Sequence, residues 1–365
     1  MGHERVWPVG VGFQGDVTSA KLDELDLKVT RCLTYWDIKA QNWTHHVGPV
    51  SAPRVVDRVA SYDPVNHRLI AFGNGAAANG TIWWNPNGEF GWTQASVTGP
   101  AGHAPTFSWL ETNPAGVSLA GGDMSSSTTD NVIQRSTDGH NFPHQSLPGG
   151  WTGTRCGLWD ETNALWIVAG MTVGQIATSP DGITWTARTV PAPASGDAFL
   201  ACDVDPTGQS YFQGDAGHGA KSDDGITWTS VTNAITNPTA CRYNPSDDLW
   251  LVVGPGGAVR SSADRTTWAN AGAGILYDFF DLAYDGRLWV AAAASTTAGT
   301  QTGAAYSIDR GASWNLVALA DVDSTARGVR HLRNSFWLAA PDNANDLSHL
   351  YRSMRVGVDA FNNVG

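Results

Sequence analysis

The strongest constraint on this chain is a short pattern that recurs at nearly even spacing. It reads Ser136-Thr137-Asp138-Gly139-His140-Asn141-Phe142, then Ser179-Pro180-Asp181-Gly182-Ile183-Thr184-Trp185. It returns as Ser222-Asp223-Asp224-Gly225-Ile226-Thr227-Trp228 and as Ser262-Ala263-Asp264-Arg265-Thr266-Thr267-Trp268. The fullest copy is Ser307-Ile308-Asp309-Arg310-Gly311-Ala312-Ser313-Trp314. The leading serines stand 43, 43, 40 and 45 residues apart, and a worn copy at Asn85-Pro86-Asn87-Gly88 closes on Trp92. Asp followed by Gly is turn chemistry: the carboxylate accepts backbone N–H groups across the turn, and glycine supplies the positive φ.

A second motif, a turn followed by an apolar strand, precedes each hairpin. Examples are Tyr62-Asp63-Pro64 before Leu69-Ile70-Ala71-Phe72, and Trp159-Asp160-Glu161 before Leu165-Trp166-Ile167-Val168. Tyr243-Asn244-Pro245 leads to Leu249-Trp250-Leu251-Val252, and Tyr284-Asp285-Gly286 to Leu288-Trp289-Val290. A last copy runs through Asn334-Ser335-Phe336-Trp337-Leu338, with a third strand near Leu350-Tyr351-Arg352-Ser353. With weaker copies near Trp109 and Val204, the units number seven. Each reads as inner strand, turn, second strand, loop, third strand, Asp turn, outer strand. Units of about 40–50 residues with four strands are propeller blades, so the expectation is an all-β, seven-bladed β-propeller. The last unit lacks an outer strand, while Thr34-Tyr35-Trp36-Asp37 to Asn42-Trp43-Thr44 is a hairpin without an inner one. The N-terminal strand is expected to close the ring, which removes exposed sheet edges. Residues 31–365 then form one propeller domain behind an N-terminal segment, residues 1–30.

Composition agrees. The 365 residues include 41 Gly and 17 Trp, with only 15% charged, as suits short strands and tight turns. The net charge of −12, without a Lys/Arg cluster, argues against a nucleic-acid partner. No apolar run approaches the roughly 20 residues that span a bilayer. The N-terminus lacks a basic region followed by an apolar one, so no secretory signal is expected.

The recurring turns resemble the Asp-box repeats of sialidases and related propellers, over roughly residues 55–355. In that motif the Asp accepts N–H bonds across its own turn while the Trp packs its ring beneath it. The resemblance therefore assigns Asp138, Asp181, Asp224, Asp264 and Asp309, with Trp185, Trp228, Trp268 and Trp314, to scaffold rather than to metal or acid chemistry. A repeated device is scaffold; a site is usually unique. Sialidase activity would imply more: an Arg in a Phe/Tyr-Arg-Ile-Pro segment, two further arginines clamping a carboxylate, an acid, and a Tyr–Glu nucleophile pair. The nearest segment, Ala52-Pro53-Arg54-Val55-Val56-Asp57, scrambles the first, and glutamate is scarce after Glu161. The arginines placed by the repeat (Arg135, Arg260 and Arg352) lie on strands leading into the turns.

Other chemistries lack their residues. Cys32, Cys156, Cys202 and Cys241 form no CxxC pair, and the last three recur just before turns, as buried reduced thiols would. No zinc-type His pairing or Gly-x-Ser-x-Gly elbow is present, and the Gly-rich stretch 73–78 joins two strands rather than opening a helix. Neither a cofactor nor a metal is expected. Two loop sets should share the face opposite the Asp turns, including residues 121–127 and 146–151. Trp151 stands outside the repeat: it could stack on a sugar, with Arg155 and Asp123 donating and accepting hydrogen bonds, or fill a gap between blades. Tyr277 is a similar, weaker case.

Residues 15–27 look like a cap and a short helix, with Thr18 or Ser19 as the cap and Val17, Leu22, Leu25 and Leu27 as a partial apolar stripe. The phrase is similar to N-terminal segments of bacteriophage tail-fibre and appendage proteins. That similarity implies a non-enzymatic virion or appendage protein. It would bind other virion proteins through residues 1–30, bind a cell-surface glycan by its propeller, and reach the outside by lysis. A sialidase-like glycoside hydrolase and an intracellular assembly scaffold are the alternatives.

Overall fold

The computed structural model describes residues 43–47, 58–74, 80–86, 91–98, 105–124, 132–149, 151–233, 235–272, 276–286, 288–295, 302–318, 326–332, 335–342 and 347–353. The expected helix near residues 17–27, Cys32 and the Asn87-Gly88 turn lie outside these residues.

Among the described residues the strands form seven sheets. Sheet I contains Arg58–Asp63, Arg68–Asn74, Gly80–Asn85 and Thr93–Gln94. Sheet II contains Pro105–Thr112, Ser118–Met124, Val132–Ser136 and Asn141–Ser146, and sheet III Thr154–Asp160, Leu165–Gly170, Ile176–Ser179 and Thr186–Arg188. Sheet IV contains Phe199–Val204, Ser210–Gly214, His218–Ser222 and Thr229–Thr232, and sheet V Ala240–Asn244, Leu249–Val253, Val259–Ser262 and Ala269–Asn270. Sheet VI contains Tyr277–Tyr284, Trp289–Ser295, Thr302–Ser307 and Asn315–Ala318. Sheet VII contains Gly328–Leu332, Ser335–Asp342 and Leu347–Ser353, with Trp43–Val47 as its fourth strand. That last pairing is antiparallel, from Trp43 opposite Ser353 to Val47 opposite His349, as the incomplete last unit requires. The short strand Ser96–Thr98 pairs in parallel with Asn141–Ser146 at the outer edge of sheet II.

The first strand of each sheet packs against the first strand of the next, and Gly328–Leu332 packs back against Arg58–Asp63. The result is a β-propeller. Second strands are covered on both faces, so their sequences are continuous apolar runs rather than alternating ones. Leu69–Ala71, Ile167–Ala169, Leu251–Val253 and Trp289–Ala293 are fully or almost fully buried. One apolar cluster lies between each neighbouring pair of sheets. Between sheets III and IV, for example, Leu158, Ile167 and Ile176 meet Phe199, Phe212 and Trp228.

The Ser-x-Asp turns have one geometry. Asp181 Oδ1 accepts the N–H groups of Ile183 and Thr184 at 2.8 Å each, and Asp264 Oδ1 those of Thr266 and Thr267 at 2.8 and 2.7 Å. The leading serine donates to the same oxygen, at 2.9 Å for Ser179 and 3.0 Å for Ser262. In the Asp309 copy the accepted N–H belongs to Ser313, one residue further on, because that turn has an extra residue. Trp268 and Trp314 donate their indole N–H to the carbonyls of Arg265 and Gly311 within their own turns, at 3.2 and 3.0 Å. The turns that enter the second strands use the same device with buried side chains: Asp63, Asp160 and Asn244 each accept N–H groups of the residues that follow.

Arginines tie these turns across sheets. Arg135 Nε on sheet II donates to the Asp181 carbonyl of sheet III at 2.9 Å, and Arg310 on sheet VI donates to the Asp247 carbonyl of sheet V at 2.7 Å. Arg265 takes the positive-φ position (59°) that glycine holds in three other copies. Its buried guanidinium reaches back to sheet IV, donating to the carbonyls of Ser210 and Ser222 and pairing with Asp223 at 2.6 Å.

Candidate functional site

The expected ligand residues do not converge. Trp151 is 4% exposed and packs with Trp109, Leu119 and Ile133 of sheet II and Trp166 and Val168 of sheet III. It fills the gap between two sheets and offers no ring face for a sugar, so the stacking role is corrected. Asp123 is exposed and bridges to Gly153 through its backbone. Tyr277 is half-buried in sheet VI against Phe279, with ring centroids 6.5 Å apart. Only Arg155 lies on the wall of a central cavity.

That cavity, about 50 Å³, sits where the first strands of sheets II to VII converge. Its wall carries three guanidiniums (Arg155, Arg242 and Arg330) and the carboxylate of Asp281. Arg330 Nη1 donates to Asp281 Oδ2 at 2.6 Å, and Arg242 Nη2 stands 3.5 Å from Asp281 Oδ1. The backbone N–H groups of Val329 and Leu282 add bonds of 3.1 and 2.9 Å to the same carboxylate, which is 2% exposed. Arg242 also donates to the carbonyl of Cys241 at 2.7 Å and that of Cys202 at 3.4 Å. A carboxylate this deeply placed remains charged only with such partners.

Two further acids stand beside this group on neighbouring first strands. Asp203 accepts the Tyr243 N–H at 2.7 Å, and Glu111 the Thr112 N–H at 3.3 Å. Burial pushes both carboxyls up, and the positive fields of Arg242 and Arg330 pull them down less than burial raises them. Burial works against the charge of Arg242, yet Asp281 and Asp203 outweigh it and hold the guanidinium protonated. Arg155 differs from its neighbours: it is exposed, and among the described residues nothing bonds to its guanidinium.

Sequence reasoning missed this cluster. The signal was available in the repeat itself: Glu111, Asp203, Arg242 and Arg330 stand on the first strands of sheets II, IV, V and VII, where an apolar residue such as Leu158 of sheet III would be ordinary. Cys156, Cys202 and Cys241 line the same cavity as buried thiols without a disulfide, and burial pushes the thiols of Cys156 and Cys241 well up. They behave as small apolar side chains. Gly157 stands level with Cys202 and Cys241 because the Trp109 ring occupies the space: a Cβ there would lie 2.5 Å from it. Among the described residues no group of His, Cys, Asp and Glu has the placement of a metal site. No helix among them is long and apolar enough to cross a membrane.

No protein-family model and no curated protein matches this chain. Solved structures do resemble it. "YCF48 bound to D1 peptide" superposes with a TM-score of 0.58 at 16% identity, covering 86% of this chain and 95% of that one. A streptogramin B lyase superposes with a TM-score of 0.64 at 10% identity, covering 86% and 99%. Virginiamycin B lyase from Staphylococcus aureus gives 0.59 at 11% identity, covering 86% and 99%. At these identities the likeness establishes the fold, a β-propeller shared by lyases and by a protein solved with a peptide.

Proposed function

We propose that this chain is a non-enzymatic attachment or assembly protein of a virion or appendage, with the propeller as its docking body and residues 1–30 as its anchor to neighbouring proteins. In this reading each sheet is a blade and the Ser-x-Asp turns are Asp boxes. A cell-surface glycan remains the ligand proposed for the loop face.

One observation carries the reading: the turn aspartates and two of the three axial arginines are committed to structure. Asp181 and Asp264 spend their carboxylates on their own turns. Arg242 and Arg330 are both engaged with Asp281. The axial cavity is small, about 50 Å³. No tyrosine side chain lines it among the described residues, so the Tyr–Glu pair of a sialidase-type reaction has no counterpart there. Contact over a surface needs only aromatic and hydrogen-bonding groups held in place. The peptide in the Ycf48 structure supports the idea that a body of this shape can serve for binding.

Two experiments test the proposal. A fluorogenic sialoside should not be hydrolysed above background; turnover abolished by Arg330→Ala would make the chain an enzyme. Deleting residues 1–28 should leave the propeller folded but absent from purified particles. Normal incorporation of the truncated protein would remove the anchoring role.

A further inference from the structure

A second cavity, of about 190 Å³, lies away from the axis in the seam between sheets IV and V, and no first-strand residue lines it. Thr236 and Asn237 reach it from the connection between the two sheets. Arg260 and Asn270 reach it from the third and outer strands of sheet V. These two stand directly opposite each other in the antiparallel ladder, so their side chains share one face of the sheet. Val259 packs between sheets V and VI and Ala258 between IV and V, which turns Arg260 toward sheet IV. Ile235, 3% exposed, adds an apolar lining.

The polar groups of this seam differ from their counterparts elsewhere. Asn66, Asn141 and Asn163 each donate a carboxamide N–H to a turn aspartate, at 2.8, 2.8 and 2.7 Å, and Arg135, Arg265 and Arg310 bond to neighbouring sheets. No described residue bonds to the side chains of Thr236, Asn237, Arg260 or Asn270. Their backbone is nonetheless fixed. Asn237 donates its N–H to the Asp215 carbonyl at 3.0 Å, and Gly254 to the Ala258 carbonyl at 3.0 Å. One guanidinium, two carboxamides and a hydroxyl are thus held around one space without internal partners, an arrangement organised before a ligand arrives. Arg260 is the only charged residue of the wall. The acids on adjoining segments are Asp215, which accepts the Ala198 N–H at 3.1 Å, and Asp278, which accepts the Gly256 N–H at 2.6 Å; neither pairs with Arg260. With a net charge of −12 around it, the seam disfavours an anion and suits a neutral ligand. No aromatic ring lies in the wall, so a base or an aromatic side chain finds no stacking partner, and hydrogen bonds must do the recognition.

We infer that the seam between sheets IV and V binds one neutral pyranose ring, with Arg260, Asn270, Asn237 and Thr236 bonding its hydroxyls. Each hydroxyl both donates and accepts, and the four side chains offer both functions: the guanidinium only donates, while the carboxamides and the threonine do either. The volume sets an upper bound of roughly one six-membered ring, since a cavity of about 150 Å³ holds benzene; the polar groups, not the size, choose a hydroxylated one. The inference rests on the glycan part of the reading above and gives it a place in the propeller.

The test is NMR titration of the full chain with the methyl pyranosides of glucose, galactose, mannose and N-acetylglucosamine, beside glycerol and sodium acetate. At least one pyranoside should bind saturably and shift the amide signals of Thr236, Asn237, Ala258 and Asn270. Arg260→Ala and Asn270→Ala should each weaken that pyranoside by about five-fold or more while leaving the melting temperature unchanged, since neither side chain has a described partner to lose. Binding of no pyranoside, shifts confined to another part of the propeller, or an affinity that both substitutions leave intact overturns the inference. Glycerol binding as tightly as the pyranoside removes the ring from it, and acetate binding more tightly removes the neutral ligand. Incorporation into particles without residues 1–28, with pyranoside binding intact, sinks the anchoring role and leaves the sugar site standing. Absence of binding alongside failed incorporation of that truncated chain does the reverse.

Discussion

Asp264 and Asp203 are the same residue type in two regions of one propeller, the turn face and the axis. Asp264 is exposed and takes two N–H bonds from its own turn; those of Thr267 and Thr266 hold its carboxyl down at about 2. Asp203 lies between first strands, where burial pushes its carboxyl up more than Arg242 and the Tyr243 N–H bring it down. The donors of the first lie within three residues in sequence; the N–H partner of the second lies 40 residues away. A local device recurs wherever the local sequence recurs. An axial charge is held by other blades, so each one has its own solution.

The largest expected effect breaks the axis. Asp281→Ala leaves two half-buried guanidiniums without their carboxylate and should cost about 3–5 kcal/mol, read from the urea midpoint. A loss no greater than that of a surface change would mean that the axial charges are not coupled. On the turn face, Asp309→Ala removes a single local acceptor and should cost about 1–3 kcal/mol, leaving any ligand affinity of the folded protein unchanged.

Acidity separates the two regions by sign. The depressed carboxyl of Asp264 contributes stability that is present above the unfolded value of 3.8 and lost as pH falls toward 2. The raised carboxyl of Glu111 does the reverse: its cost is absent below the unfolded value of 4.5 and appears as pH climbs through the folded value. Asp264→Asn should therefore lower Tm at pH 7 by about 1–3 °C and converge on the parent near pH 2. Glu111→Gln should raise Tm at pH 7 by a similar amount and converge by pH 4. Matching signs at pH 7 would erase the distinction between the regions. The smallest effect is Arg155→Ala, which should change stability by no more than about 0.5 kcal/mol, since no described residue depends on that guanidinium.

Most of the scaffold was legible in advance. Ser179-Pro180-Asp181-Gly182 specifies its own turn, and the run Leu249-Trp250-Leu251-Val252 reads as a strand buried on both faces. The orphan strand at Trp43 could be matched to Ser353 because a ring tolerates no open edge. The parallel strand Ser96–Thr98 gave no such sign, since its partner belongs to another sheet. Trp151 misled as a ligand platform because a tryptophan outside the repeat reads alike whether it faces solvent or fills a seam.

The sequence by itself determined the repeat, the turn chemistry and the all-β class, because each depends on residues within a few positions of one another. Tertiary structure alone decided which side chains meet at the axis. Arg155, Arg242, Asp281 and Arg330 are separated by 87, 39 and 49 residues in the chain, and they share one cavity because the first strands are drawn together by ring closure. Whether a guanidinium is answered by a carboxylate or left open there is a matter of three-dimensional distance, which no local pattern encodes.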